Sequence, residues 1–304
     1  MSDPEPSASA TPRAAKFSSF LRRFRSTLVL WLLIGSALAS AHSVLFFLVI
    51  ITLTGIGVWE YFRLLDLKED EGDMWITLVL SLGYVSASFW WSASGRGTDW
   101  SHFDLLALYT ITVAGFSLHI FSPVRKGDSH SAVMACVFGF VYVVLLFSFV
   151  SRISWFDDGY PHQGQVPGRA YLFFLLAVTK CTDMGAYIVG SFLGRRKMVP
   201  HLSPDKTWEG AAGAVLFSFL AAYIIRALLP GGIPLLTWFH TSILALLIAI
   251  GAVLGDLAES ILKRSLQAKD SAKVIPGIGG VLDLIDSIIF TAPLLYFYLL
   301  WLHG

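Results

Sequence analysis

Long apolar blocks separated by short polar ones organise this chain. Nine apolar stretches stand out, at roughly 27–41, 43–62, 74–93, 103–121, 131–150, 169–192, 210–229, 239–262 and 284–302. A helix crossing a bilayer takes roughly 20 mostly apolar residues, so the pattern predicts an all-α bundle of about nine transmembrane helices. The first two stretches are close enough to form a tight helical hairpin. Residues 1–26 are polar and rich in Ser, Ala and Pro, then basic, with Arg13, Lys16, Arg22, Arg23 and Arg25. They predict a disordered tail leading into a short amphipathic approach to the membrane. The segment LVLWLLIGSALASA has the Ala-x-Ala end of a signal peptide. Its long basic lead and the apolar stretch directly after it argue for an uncleaved anchor. The reading divides the chain into a tail (1–26), N-terminal membrane helices (27–168) and a C-terminal catalytic membrane part (169–304).

Loop charges orient this layout. With the N-terminus inside, seventeen Lys and Arg residues fall in inner segments and four in outer ones (Arg96, Arg152, Arg169 and Arg226), with Lys180 inside a span. That is a strong positive-inside bias. Composition agrees: the 304 residues are 55% hydrophobic and 14% charged, against about 25% charged in a soluble domain. A net charge of +1 with no basic block beyond the tail excludes a nucleic-acid binder. The two cysteines, Cys136 and Cys181, lie in apolar segments and are too few for a disulfide framework or a zinc site.

Against this background GDLAESILKRSLQAKD, at 255–270, is conspicuous. Snorkelling accounts for Lys263, Arg264 and Lys269 at the inner end of the eighth span. It does not account for Asp256 and Glu259, which lie deeper, where acidic residues are costly and usually functional. On a helix Asp256, Glu259, Ser260 and Lys263 share one face. Further on, GIGGVLDLIDS places Asp283 and Asp286 one turn apart. Oxygen ligands of this kind suit Mg²⁺, usually held by one or two carboxylates plus substrate phosphates. The bland reading is a set of ion pairs with Lys263 and Arg264. Between the helices lies a glycine-rich loop with Lys269, Asp270, Lys273, Gly277, Gly279 and Gly280. Such loops let backbone N–H groups approach an anion.

A second cluster is KCTDMGAYIVGSFLGRRKMVPHLSPDKTWEG, at 180–210. Lys180 and Asp183 stand one turn apart inside an apolar helix, and Tyr187 continues that side. Ser203, Lys206, Thr207 and Glu209 lie where a turn opens the seventh span, a natural phosphate site. His201 reads as a surface residue. Trp208 is either an interface anchor or a platform for a base. The residues together predict a metal-dependent phosphoryl or nucleotidyl site at the cytoplasmic face, with a substrate drawn from the bilayer.

These motifs resemble the phosphatidate cytidylyltransferase (CDP-diacylglycerol synthase) family over roughly 169–290. The family's Ser-x-x-Lys-Arg, Lys-Asp, His-Gly-Gly and Asp-Arg-x-Asp motifs are matched by Ser260–Arg264, Lys269-Asp270, Ile278-Gly279-Gly280 and Asp283–Asp286. GDLAES, DMGAYIVG and SPDKTWEG match as well. Two positions depart: Ile278 stands for the family's His and Leu284 for its Arg. The carboxylates survive, so the expectation is an active, divergent member.

The resemblance implies transfer of a cytidylyl group from CTP to phosphatidate, giving CDP-diacylglycerol and pyrophosphate. It implies Asp256, Asp283 and Asp286 as ligands of Mg²⁺, with K⁺ as a second cation, and Asp256, Lys206, Lys263 and Asp283 in catalysis. Asp183, Tyr187, Ser203, Thr207, Glu209, Glu259, Ser260, Arg264, Lys269, Asp270, Gly279 and Gly280 would bind substrate. It further implies a homodimer. The alternatives are a CTP-dependent lipid kinase of the polyprenol or phytol type, which would release CDP, and a non-catalytic or transport paralogue. A transporter places its site near the midplane, against which the long charged inner loops count.

Overall fold

The computed structural model describes residues 35–36, 43–65, 71–94, 101–120, 128–160, 167–229, 231–266 and 280–304. Nearly all of this is helix: α1 (Ser43–Leu65), α2 (Glu71–Ala93), α3 (Ser101–His119), α4 (Asp128–Gly139), a π-helical turn (Phe140–Leu145), α5 (Leu146–Ser154), α6 (Pro167–Leu193), α7 (Trp208–Leu228), α8 (Trp238–Ser265) and α9 (Leu282–His303). One short hairpin, β1 (Lys197–Val199) and β2 (Ser203–Thr207), interrupts them. Among the described residues seven helical segments are long and apolar enough to cross a membrane, with α4, the π turn and α5 acting as one. The chain is an integral membrane protein. The expected count of nine is not reached: apart from residues 35–36, the span at 27–41 lies outside the described residues. The helix α3, which carries His102, Asp104 and His119, forms but falls outside the seven.

Helices in lipid gain little from apolar burial against one another, so small residues and close packing set their crossings. The α6–α7 and α8–α9 crossings illustrate this. A Cβ at Gly213 would lie 2.5 Å from the Cβ of Val189, and one at Gly255 would lie 2.6 Å from the carbonyl oxygen of Asp286. The second contact fixes the register of α8 on α9 where both carry carboxylates. Thr207 ends β2 and caps α7, its hydroxyl accepting from the Gly210 N–H at 3.1 Å. Hairpin and helix are thus one continuous piece. Both cysteines are free, and Cys136 is buried.

Arg152, assigned to an outer loop by its place in the sequence, sits instead in the last turn of α5 and is 3% exposed. Its guanidinium donates to both Asp104 carboxylate oxygens at 2.6 and 3.0 Å and to the Tyr84 hydroxyl at 2.6 Å. This ties α2, α3 and α5 together at one end of the bundle. Arg152→Ala removes one partner of a largely buried pair, a change that costs on the order of 3 kcal/mol. Thermal unfolding in detergent is expected to shift several degrees lower; an unchanged midpoint would show that the pair carries no stability.

Candidate functional site

Four elements converge on one cavity of about 390 Å³: α6, the β1–β2 hairpin with the start of α7, the end of α8 and the start of α9. Of the residues singled out from sequence, Asp183, Tyr187, Ser203, Lys206, Thr207, Asp256, Asp283 and Asp286 line it. The ordering is local in origin. Glu209 accepts the backbone N–H groups of Arg195 and Arg196, each at 3.1 Å, and folds the hairpin onto α7. That brings the Lys206 ammonium within 2.9 Å of Asp256, 50 residues on in α8.

The carboxylates are arranged in two sets. Ligand oxygens of Asp256, Glu259 and Asp286 all lie within 4.8 Å of one another, and Glu259 and Asp286 are buried. Asp283 adjoins that trio through Lys263, with which it pairs, and accepts the Gly280 N–H at 3.0 Å. Lys263 also reaches Glu259 at 2.8 Å. The metal set expected from sequence was Asp256, Asp283 and Asp286; the geometry groups Glu259 with Asp256 and Asp286, and Lys263 joins Asp283 to Glu259. Asp183 is held by Lys180 at 3.2 Å and by the Ser287 hydroxyl at 3.2 Å, and the Ser287 N–H donates to Asp286 at 2.5 Å. Asp183, Asp256, Glu259, Asp283 and Asp286 therefore face Lys180, Lys206 and Lys263, an excess of acidic groups to which Asp205, also on the cavity wall, adds one more. Uncompensated charge away from water is costly. Hard oxygen donors clustered this closely fit a divalent cation such as Mg²⁺.

Other expected residues stand elsewhere. Ser260 bonds back to the Asp256 carbonyl at 2.9 Å on its own helix. Arg264 is exposed and donates to the Leu202 carbonyl at 3.3 Å. Glu209 works through the hairpin backbone, as above. Lys269, Asp270 and Gly279, like Lys273 and Ile278, lie outside the described residues. The Leu284 side chain does not line the cavity; it faces an apolar crevice on the other side of α9.

Residues 21–302 match a family model described as the cytidylyltransferase family. The chain belongs to the cytidylyltransferase family. It is 30% identical to a phosphatidate cytidylyltransferase of Helicobacter pylori over 92% of this chain and 93% of that one. It is 42% identical to one of Bacillus subtilis over 43% of this chain and 48% of the relative. An uncharacterized protein, YnbB, of Escherichia coli K12 is 37% identical over 65% of this chain and 64% of its own length. The match therefore spans about half to two thirds of two of these relatives and nearly all of the third.

Sequence reasoning missed Glu60 of α1. It is fully buried and accepts the N–H groups of Val281 and Leu282 at 2.9 and 2.8 Å. These are donors at the start of α9 that the helix itself cannot satisfy, and a carboxylate there also favours the helix dipole. The available signal was a lone acid inside an otherwise apolar span. Glu60→Ala strands two buried donors, at about 1–3 kcal/mol each. Hydrogen exchange at Val281 and Leu282 is expected to accelerate by one to three orders of magnitude, with Glu60→Gln intermediate. Unaltered protection would mean that Glu60 does not hold α9 in place.

Proposed function

We propose that this cytidylyltransferase-family protein transfers the cytidylyl group of CTP to phosphatidate, giving CDP-diacylglycerol and pyrophosphate. The observation that carries the reading is a cavity lined by Asp256, Asp283 and Asp286 of α8 and α9, with Glu259 clustered beside Asp256 and Asp286, and faced by a lysine-bearing hairpin and helix cap on α7. The family match and the relatives named phosphatidate cytidylyltransferase support it. On the positive-inside bias of the loops, the cavity opens to the cytoplasm, where nucleoside triphosphates are found, and the N-terminus is cytoplasmic. The homodimer rests on the resemblance alone.

The chemistry asks little of a general base. A phosphate monoester loses its second proton near pH 6, so an oxygen of phosphatidate attacks the α-phosphorus of CTP as an anion. The bond from that phosphorus to the bridging oxygen breaks, and pyrophosphate leaves with its electrons. Repulsion between the two anions is the barrier. Asp256, Glu259 and Asp286 would hold Mg²⁺, which would offset that repulsion and stabilise the leaving group. Asp283 accepts the Gly280 N–H and orients Lys263. Lys206, paired with Asp256 at 2.9 Å, would be available to the triphosphate if Asp256 held the cation. K⁺ as a second counter-ion belongs to the same proposal.

Purified protein with α-labelled CTP, phosphatidate and Mg²⁺ is expected to release pyrophosphate and a labelled liponucleotide. Labelled CDP would mark a lipid kinase instead, and no turnover on any CTP and lipid pair would overturn the reading. Asp286→Asn is expected to lower turnover at least a hundredfold, because a ligand and its charge are lost together. Cysteine labelling is expected to reach Arg195→Cys and Arg264→Cys from the cytoplasmic side only; labelling of either from the opposite side contradicts the topology.

A further inference from the structure

On the face of α9 away from the cavity lies a narrow apolar crevice, walled by α1, α5, α6 and α9. Val49 and Leu53 of α1, Phe147 of α5, Leu176 and Lys180 of α6, and Leu284 of α9 belong to it. Its volume is about 40 Å³, a tenth of the cavity's. That suits a segment of a single methylene chain and excludes a headgroup or a nucleotide. Among the described lining residues Lys180 alone is charged. Its stem walls the crevice, while its ammonium donates to Asp183, which lines the polar cavity, and to the Leu284 carbonyl at 3.0 Å. One side chain therefore forms the partition between an apolar slot and the carboxylate site. An amphiphile with a phosphate and a hydrocarbon chain matches that junction; a wholly polar or wholly apolar ligand matches one side of it.

We propose that this crevice is an acyl-chain subsite: it takes a segment of one fatty chain of the lipid substrate, with the lipid phosphate at Lys180. The inference rests on the phosphatidate reading above. It also gives Leu284 a role. Where the family signature that the chain resembles has Arg, a charged side chain would crowd a cation into the slot beside Lys180. Leucine keeps the slot apolar and makes position 284 a determinant of which chains are accepted.

Two measurements test it. Leu53→Trp narrows the slot without touching the carboxylate site. Each buried methylene is worth roughly fourfold in affinity, so displacing two is expected to raise KM for dioleoyl phosphatidate by about tenfold to twentyfold. KM for CTP and for dihexanoyl phosphatidate, whose short chains do not need the slot, stays within about twofold. Equal effects on the long and short lipids overturn the subsite. Wild-type protein that turns over neither lipid overturns the cytidylyl-transfer reading, and the second measurement then decides the subsite alone. In wild-type protein, phosphatidate carrying a diazirine in its acyl chain is expected to label the peptide containing Val49 and Leu53. Unlabelled phosphatidate should compete and phosphatidylcholine should not. Labelling that both lipids compete equally marks a boundary lipid and overturns the proposal, as does labelling confined to other faces of the bundle.

Discussion

Charge taken out of water has to be answered locally, and the answers to six acidic side chains, three of them buried and three part-exposed, hold the functional half of this molecule together. Glu60 is answered by two backbone donors, Asp183 by Lys180 and Ser287, Asp256 by Lys206, and Asp283 by Lys263 and Gly280. Glu259 shares Lys263, and Asp286 has the Ser287 amide. Most of these answers cross between elements or fix the start of one, while Glu259–Lys263 and Asp286–Ser287 lie within α8 and α9. The same contacts that make burial tolerable therefore set the geometry of the cavity. Gly255 is the steric counterpart: with a side chain there, α8 would stand off from the Asp286 carbonyl and the trio would open.

The N-terminal helices take part through few contacts of large consequence. Glu60 reaches 221 residues along the chain to hold the start of α9, and α1 supplies one wall of the apolar crevice. At one end of the bundle, Arg152 with Asp104 and Tyr84 clamps three helices. The catalytic half is thus held on a scaffold rather than merely followed by one. A polar chamber on one side of α9 and an apolar slot on the other, with Lys180 between them, suit a reaction that joins a water-soluble nucleotide to a lipid.

Helix positions were legible in the sequence because a bilayer demands long apolar runs, and eight of the nine expected stretches coincide with helices in the described residues. The grouping of Asp256, Asp283, Asp286 and Lys206 was legible too, because acidic residues at helical spacing near a membrane have few uses. Partnership was harder to read. The sharing of Lys263 between Glu259 and Asp283 was not legible, because Lys263, one turn beyond Glu259, reaches across to α9, and only the helix crossing reveals that. Glu60 was hidden by distance: nothing near it in the chain hints at amides beyond residue 280. Arg152 read as a loop charge because hydropathy stops at the first cation, whereas a paired arginine continues the helix.

Everything proposed for catalysis depends on Asp256, Glu259 and Asp286 acting together on a divalent cation. Titration of detergent-purified protein with Mn²⁺, followed by electron paramagnetic resonance without nucleotide or lipid, tests this directly. The account predicts saturable binding that Glu259→Gln weakens at least tenfold, the usual order for loss of a ligand or its close support, while Glu209→Gln, on the hairpin backbone, leaves it unchanged. Binding indifferent to Glu259, or none in a protein that nonetheless turns over CTP, would contradict it.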